Sequence, residues 1–147
     1  MAAQRSDEDI QAIEAVIARQ FGSLNWGANA SADWTGFAGD FFPDASLYPA
    51  ARPAKAQTVG AFVDRMKALS TTSLRSFHQR RLGAEIHTFG NVAVALAACE
   101  NLENGTEVTR GVEAMLLIKD RGSWRIVAQA WDSESETNPV PGHLVSR

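Results

Sequence analysis

Ile10, Ile13, Ile17, Phe21 and Leu24 recur at spacings of three and four residues, which draws one apolar stripe down a helix. Ser6 followed three residues later by Asp9 reads as a capping box, and Asp7 and Glu8 stand where the helix dipole favours anions. Asn25 and Gly27 close that helix. A second helix is predicted from Ser31 to Phe41, with Trp34, Phe37, Ala38 and Phe41 on one face and Pro43 stopping it. Ala45 to Tyr48 reads as a short strand, and residues 49–57, with two prolines, as a loop. Thr58 then caps a third helix whose apolar face is Val59, Phe62, Val63, Met66 and Leu69.

From residue 77 the period changes to two. Phe77–Phe89, Val92–Leu102, Val108–Lys119 and Trp124–Asp132 read as four strands, separated by Gly90-Asn91, Asn104-Gly105 and Arg121-Gly122. The pattern is an antiparallel meander, and helices followed by one curved sheet make an α+β domain with helices on a single face. If each turn holds two residues, Glu85 lies beside Leu96, Leu96 beside Glu113, and Glu113 beside Ala130. One sheet face then carries Glu85, His87, Val94, Leu96, Glu113, Met115, Ile126 and Asp132. Ile86, the alanines at 93, 95 and 97, Cys99, Arg110, Val112, Ala114, Leu116, Val127, Gln129 and Trp131 share the other. The small-residue face suits packed helices and a cavity with a few polar groups. The mixed face suits a two-fold dimer surface, for which Glu85, His87, Leu96, Glu113 and Met115 are the candidates. A bulge at Gly83 would exchange some of these places.

With 147 residues the chain suits one domain, assigned to 1–135, with a core that removes roughly two-thirds of the unfolded surface from water. Residues 136–147, with Pro139, Pro141 and Gly142, read as a loosely ordered tail. Fourteen basic against seventeen acidic residues give a net charge of −3, which argues against nucleic acid as a partner. Cys99 is the single cysteine, so an intrachain disulfide and a multi-thiolate zinc site are excluded. Three histidines without ligand spacing make no metal site, and no Gly-rich phosphate loop is present, so no cofactor is expected. The acidic start does not resemble an export signal and no apolar run approaches the ~20 residues of a membrane span. A cytoplasmic location without membrane contact is therefore expected.

The candidate chemistry gathers on the small-residue face. Trp34, Tyr48, Phe62, Met66, His78, Arg110, Gln129 and Trp131 are the candidate pocket residues. Arg110 is either a bidentate clamp for a carboxylate or enolate oxygen or one half of a structural ion pair. His78 is either a base at the pocket mouth or a surface histidine, and Tyr48 carries a hydroxyl that needs a partner when buried. Glu113, set among apolar residues, would have a raised pKa if buried, but the two-residue-turn register puts it on the dimer face. Cys99 reads as a small core residue, and no catalytic residue is assigned.

Several local motifs carry a resemblance. Asp33-Trp34-x-x-Phe37 with Phe42-Pro43-Asp44-Ala45-Ser46-Leu47, Phe89-Gly90-Asn91-Val92-Ala93, Arg110-Gly111-Val112, and Gly122-Ser123-Trp124-Arg125-Ile126-Val127 resemble passages of the nuclear transport factor 2-like superfamily, in its SnoaL-like (polyketide-cyclase-like) branch. The resemblance spans roughly residues 8–134. It implies a cone-shaped, cystatin-like fold of three N-terminal helices on a curved antiparallel sheet, a pocket between them, and a homodimer formed through the sheet. Superfamily members include isomerases, dehydratases, cyclases, hydrolases and non-catalytic assembly domains. Its enzymes hold an Asp or His base deep in the cone, whereas the last strand here reads Ala128-Gln129-Ala130-Trp131, where many relatives carry histidines. Three functions follow: a small-molecule-binding domain for a hydrophobic or carboxylate ligand, a small isomerase, dehydratase or cyclase acting on a hydrophobic carbonyl compound, and a non-catalytic oligomerisation module.

Overall fold

Three helices lie against one face of a six-stranded sheet, and a short fourth rests on the other face rather than on the same one, in the computed structural model, which describes residues 2–145. The order along the chain is α1 (Ala2–Ser23), α2 (Trp34–Gly39), β1 (Phe41–Tyr48), β2 (Gln57–Thr58), α3 (Val59–Ser70), β3 (Phe77–Phe89), β4 (Val92–Glu103), β5 (Glu107–Asp120), β6 (Ser123–Ser133) and α4 (Gly142–Val145). Across the sheet the strands run β2-β1-β6-β5-β4-β3, and every neighbouring pair is antiparallel except β1 and β6, which are parallel.

The predicted stripe of α1 is the face that packs on the sheet, with Ile13, Ile17 and Phe21 almost fully buried and Val16 joining them. Each such side chain contributes about 2 kcal/mol through the apolar surface it removes from water. The capping box at Ser6 and Asp9 is not used, because α1 starts earlier and both residues lie inside it. Asp9 serves a tertiary contact instead, accepting from Lys119 Nζ at 2.9 Å and from the buried Trp124 indole at 3.0 Å. α2 is shorter than predicted: Asp33 caps it by accepting from the Gly36 amide, and Phe41 already belongs to β1. Thr58 caps α3 as expected, accepting from the Ala61 amide at 3.0 Å.

The β3–β4 hairpin has the expected register, with Glu85 opposite Leu96 and a bulge between Arg81 and Gly83. The β4–β5 hairpin does not. Its turn holds three residues, since Asn104 and Gly105 both have positive φ and the strands close at Glu103 and Glu107. Leu96 therefore faces Ala114, and Glu113 faces Ala97. A second irregularity, between Leu116 and Leu117, places Glu113 opposite Trp131 rather than Ala130. The first slip reverses β5, so that Glu113, Met115 and Leu117 turn toward the helices while Val112, Ala114 and Leu116 turn away; the second places its extra residue, Val127, on β6. Ile126 likewise joins the core, fully buried.

The tail also differs from expectation. Leu144 of α4 is 1% exposed against Leu82 and Ala98, and the Val140 amide donates to Glu134. A buried leucine at the far end holds residues 134–145 against the sheet.

Candidate functional site

A cavity of about 280 Å³ opens between α3, Phe37 of α2, the end of β1 with the loop after it, and the inner face of β3–β6. Its walls are apolar where the helices meet the sheet: Phe37 stacks on Phe62 at 5.5 Å, and Phe62 meets the edge of Trp131 at 5.5 Å. Its sheet floor is polar. Gln79 of β3, Cys99 and Asn101 of β4, Glu113 of β5 and Gln129 of β6 all line it. They meet there because Gln79 pairs with Asn101 across the first hairpin, and Gly111 faces Cys99 across the second. Gly111 is required at that point: a Cβ on it would stand 2.6 Å from the Asp132 carbonyl oxygen.

Glu113 dominates the electrostatics. Burial pushes its carboxyl from 4.5 up to about 7, and a hydrogen bond from Gln129 restrains the rise. No ion pair to Glu113 is formed among the described residues. Burial, with the Glu113 charge adding to it, pushes the Cys99 thiol up to about 12, so the sulfur stays protonated and is no nucleophile. The oxygens of Gln79, Asn101 and Gln129 are buried without a hydrogen-bond partner. Such atoms are rare in folded proteins and mark an unfilled demand for donors.

The candidate pocket residues divide. Phe62, Met66, Gln129, Trp131 and Arg110 line the cavity. Trp34 lies instead in a separate surface depression beside Trp26, 5.5 Å between ring centroids. Tyr48 is 41% exposed and belongs to the outer sheet face. His78 is exposed on β3 and lines neither. Arg110 is not a free clamp. It pairs across the strands with Glu100, giving its Nε to Glu100 Oε2 at 2.9 Å, and Arg80 takes the other carboxylate oxygen at 2.8 Å. Those two guanidiniums, Arg80 first, hold Glu100 below the usual carboxylate range.

Of the dimer-face candidates, Glu85, His87 and Leu96 line the outer groove with the exposed Val94 and Leu116. Glu85 lies between His87 at 3.5 Å and His143 of α4 at 3.4 Å. Met115, 2% exposed, and Glu113 belong to the inner face, because the three-residue turn reversed β5. The residues that sequence reasoning missed are Gln79 and Asn101. The signal was partial: asparagine is depleted in strands, but Gln79 and Asn101 fall opposite each other only after the bulge between Arg81 and Gly83 shifts the register that the Gly90-Asn91 turn sets.

No protein-family model and no curated protein matches the chain. Solved structures do. The chain is similar to a nuclear transport factor 2-like protein of unknown function from Silicibacter pomeroyi, with TM-score 0.64, 18% identity, and coverage of 88% of this chain and 98% of that one. The fold is nuclear transport factor 2-like. Within that fold it is also similar to a cystatin-like protein from Caulobacter vibrioides (TM-score 0.68, 19% identity, 88% and 92% covered). A third match is a candidate scytalone dehydratase from Novosphingobium aromaticivorans (TM-score 0.69, 14% identity, 92% and 89% covered). Identities this low extend the nuclear transport factor 2-like fold to the chain, and nothing of those proteins' chemistry. Among the described residues no cluster is set to hold a metal ion, and no helix is long and apolar enough to cross a membrane.

Proposed function

We propose that the chain binds a small, largely apolar molecule in the cavity between its helices and sheet. The observation that carries this reading is the cavity's two-sided character: aromatic walls from Phe37, Phe62 and Trp131 converge on a polar floor at Glu113 and Gln129. An apolar cavity of about 150 Å³ accepts one benzene. The volume here, about 280 Å³, suits a two-ring compound or one ring with a short chain. The test is an NMR titration with β-naphthol. Ring-current shifts are expected at the methyls of Met66 and Leu47, and Met66→Trp should abolish them by filling the space. Shifts confined to Val94 and Leu96 on the outer face would overturn the reading.

A second reading rests on Glu113 alone. A carboxyl held near 7 is half-protonated at neutral pH, the condition for taking a proton and returning it. We propose it as the proton-transfer group of an isomerase, dehydratase or cyclase acting next to a carbonyl. The protein should then speed deuterium uptake at the acidic carbon of β-tetralone. An equal rate with Glu113→Gln would exclude it.

We further propose that the outer sheet face meets a second copy of the chain. Val94, Leu96 and Leu116 are each 39–50% exposed there, rimmed by Glu85, His87 and Tyr48. Exposed apolar side chains gathered inside a polar rim have the anatomy of an interface core.

A further inference from the structure

Three carboxamides end in the cavity, and in each the nitrogen is already committed. Gln79 Nε2 lies 3.6 Å from Cys99 Sγ, Asn101 Nδ2 donates to Thr109 Oγ1 at 3.4 Å, and the Gln129 side chain hydrogen-bonds Glu113. Those bonds leave the carbonyl oxygens as the unused ends, and all three are buried and unpartnered. Gln129 itself is only 4% exposed. The same wall holds the Glu113 carboxylate, which no cation pairs among the described residues. The floor thus offers acceptors and negative charge, and nothing on it calls for an anion.

The other ionisable groups lining the cavity do not change that balance. Arg110 is engaged by Glu100 on the neighbouring strand, and the Cys99 thiol is uncharged. Arg65 of α3 and Asp132 of β6, both exposed, supply one charge of each sign. Glu113 is the acidic group of the floor that forms no ion pair among the described residues.

We infer that the cavity takes a small aromatic cation, a protonated amine or amidine on a ring. Its nitrogen donates to the Glu113 carboxylate and to the orphaned oxygen of the neighbouring Gln129, while the ring lies among Phe62 and Trp131. This rests on the cavity being a small-molecule site and is independent of the proton-transfer reading. Buried acceptors left without donors cost free energy that a ligand with several N–H groups recovers, and a carboxylate in a poorly solvated cavity favours a cation over its neutral isostere. An anionic ligand on the floor would meet Glu113 and three carbonyl oxygens, while of the cations lining the cavity Arg110 already gives its Nε to Glu100 and Arg65 is exposed.

Calorimetric titration with phenethylamine, hydrocinnamyl alcohol and hydrocinnamate separates the possibilities. At about pH 8 the amine is expected to bind at least tenfold tighter than either of the others. Its affinity should fall about tenfold by about pH 6, as Glu113 takes a proton and loses its charge. Glu113→Gln, folded by circular dichroism, should remove both the preference and the pH dependence. Gln129→Leu should weaken the amine more than the alcohol. Equal binding of amine and alcohol, indifferent to Glu113→Gln, overturns the cation and leaves the cavity reading standing. Tightest binding of hydrocinnamate overturns it as well. Binding by none of the three overturns both.

Discussion

Replacing Glu113 by Gln should stabilise the protein at neutral and alkaline pH. In the folded chain burial holds this carboxyl at about 7 against an ordinary 4.5. Between those values the folded state keeps a proton that the unfolded state has released. Stability therefore declines as pH rises from about 4.5, and the decline is complete above about 7. At about 1.4 kcal/mol for each tenfold change in acidity, the full effect is roughly 3 kcal/mol. Glutamine keeps the size and the hydrogen-bonding end and never ionises, so its stability lacks this decline. Urea unfolding of both proteins from about pH 5 to about pH 8.5 reads the difference directly, and histidines and other carboxylates, common to both, cancel. The difference should grow by roughly 3 kcal/mol across that span, most steeply between pH 5 and 7. Parallel profiles would mean that Glu113 ionises as an exposed carboxylate does, and would remove the basis for both its proposed roles.

Gly111→Ala should cost about 1–3 kcal/mol, because the new methyl meets the Asp132 carbonyl and the backbone must yield; an unchanged melting temperature would show that it yields freely. Asp9→Ala strands the Lys119 ammonium and the Trp124 N–H, so a loss of about 3 kcal/mol in urea unfolding is expected, largely recovered by adding Lys119→Met. Leu144→Ala should cost about 2–4 kcal/mol, whereas a loose tail would lose nothing measurable. Leu96→Asp should turn a sedimenting dimer into a monomer, and a wild-type chain that is already monomeric at micromolar concentration would refute the outer-face interface.

The helices and the existence of the four long strands were legible from periodicity and turn signals. Ile10, Ile13, Ile17, Phe21 and Leu24, spaced by three and four, share one side of a helix but would fall on both faces of a strand. The faces of β3 and β4 were legible for the same reason, since Ala93, Ala95 and Ala97 alternate with larger residues. β5 was not. Residues 114–117, Ala-Met-Leu-Leu, are apolar in both phases, so nothing in the strand itself chooses a face. Its face depended on one residue of turn length at Asn104-Gly105, and Thr106 belongs to the turn rather than to the strand. Glu113 therefore fell on the wrong side, and Arg110, left open between a clamp and an ion pair, forms the ion pair with Glu100. Gln129 and Trp131 were placed on the inner face correctly because the slip at the β4–β5 turn and the extra residue at Val127 cancel beyond that bulge. The parallel pairing of β1 with β6 left no local signal at all, since it joins segments some eighty residues apart.

That pairing also orders the molecule's assembly. Leu47 and Ala45 are buried core residues, yet β1 has only the two-residue β2 beside it until β6 exists. On a ribosome, β1 is made early and waits for almost the whole meander to emerge, although α1 can already seat on β3. A nascent chain stopped before residue 123 has no long strand to pair with β1, and contacts of such long sequence separation form slowly. Chaperone dependence during synthesis, rather than in the finished protein, is where this topology makes its demand.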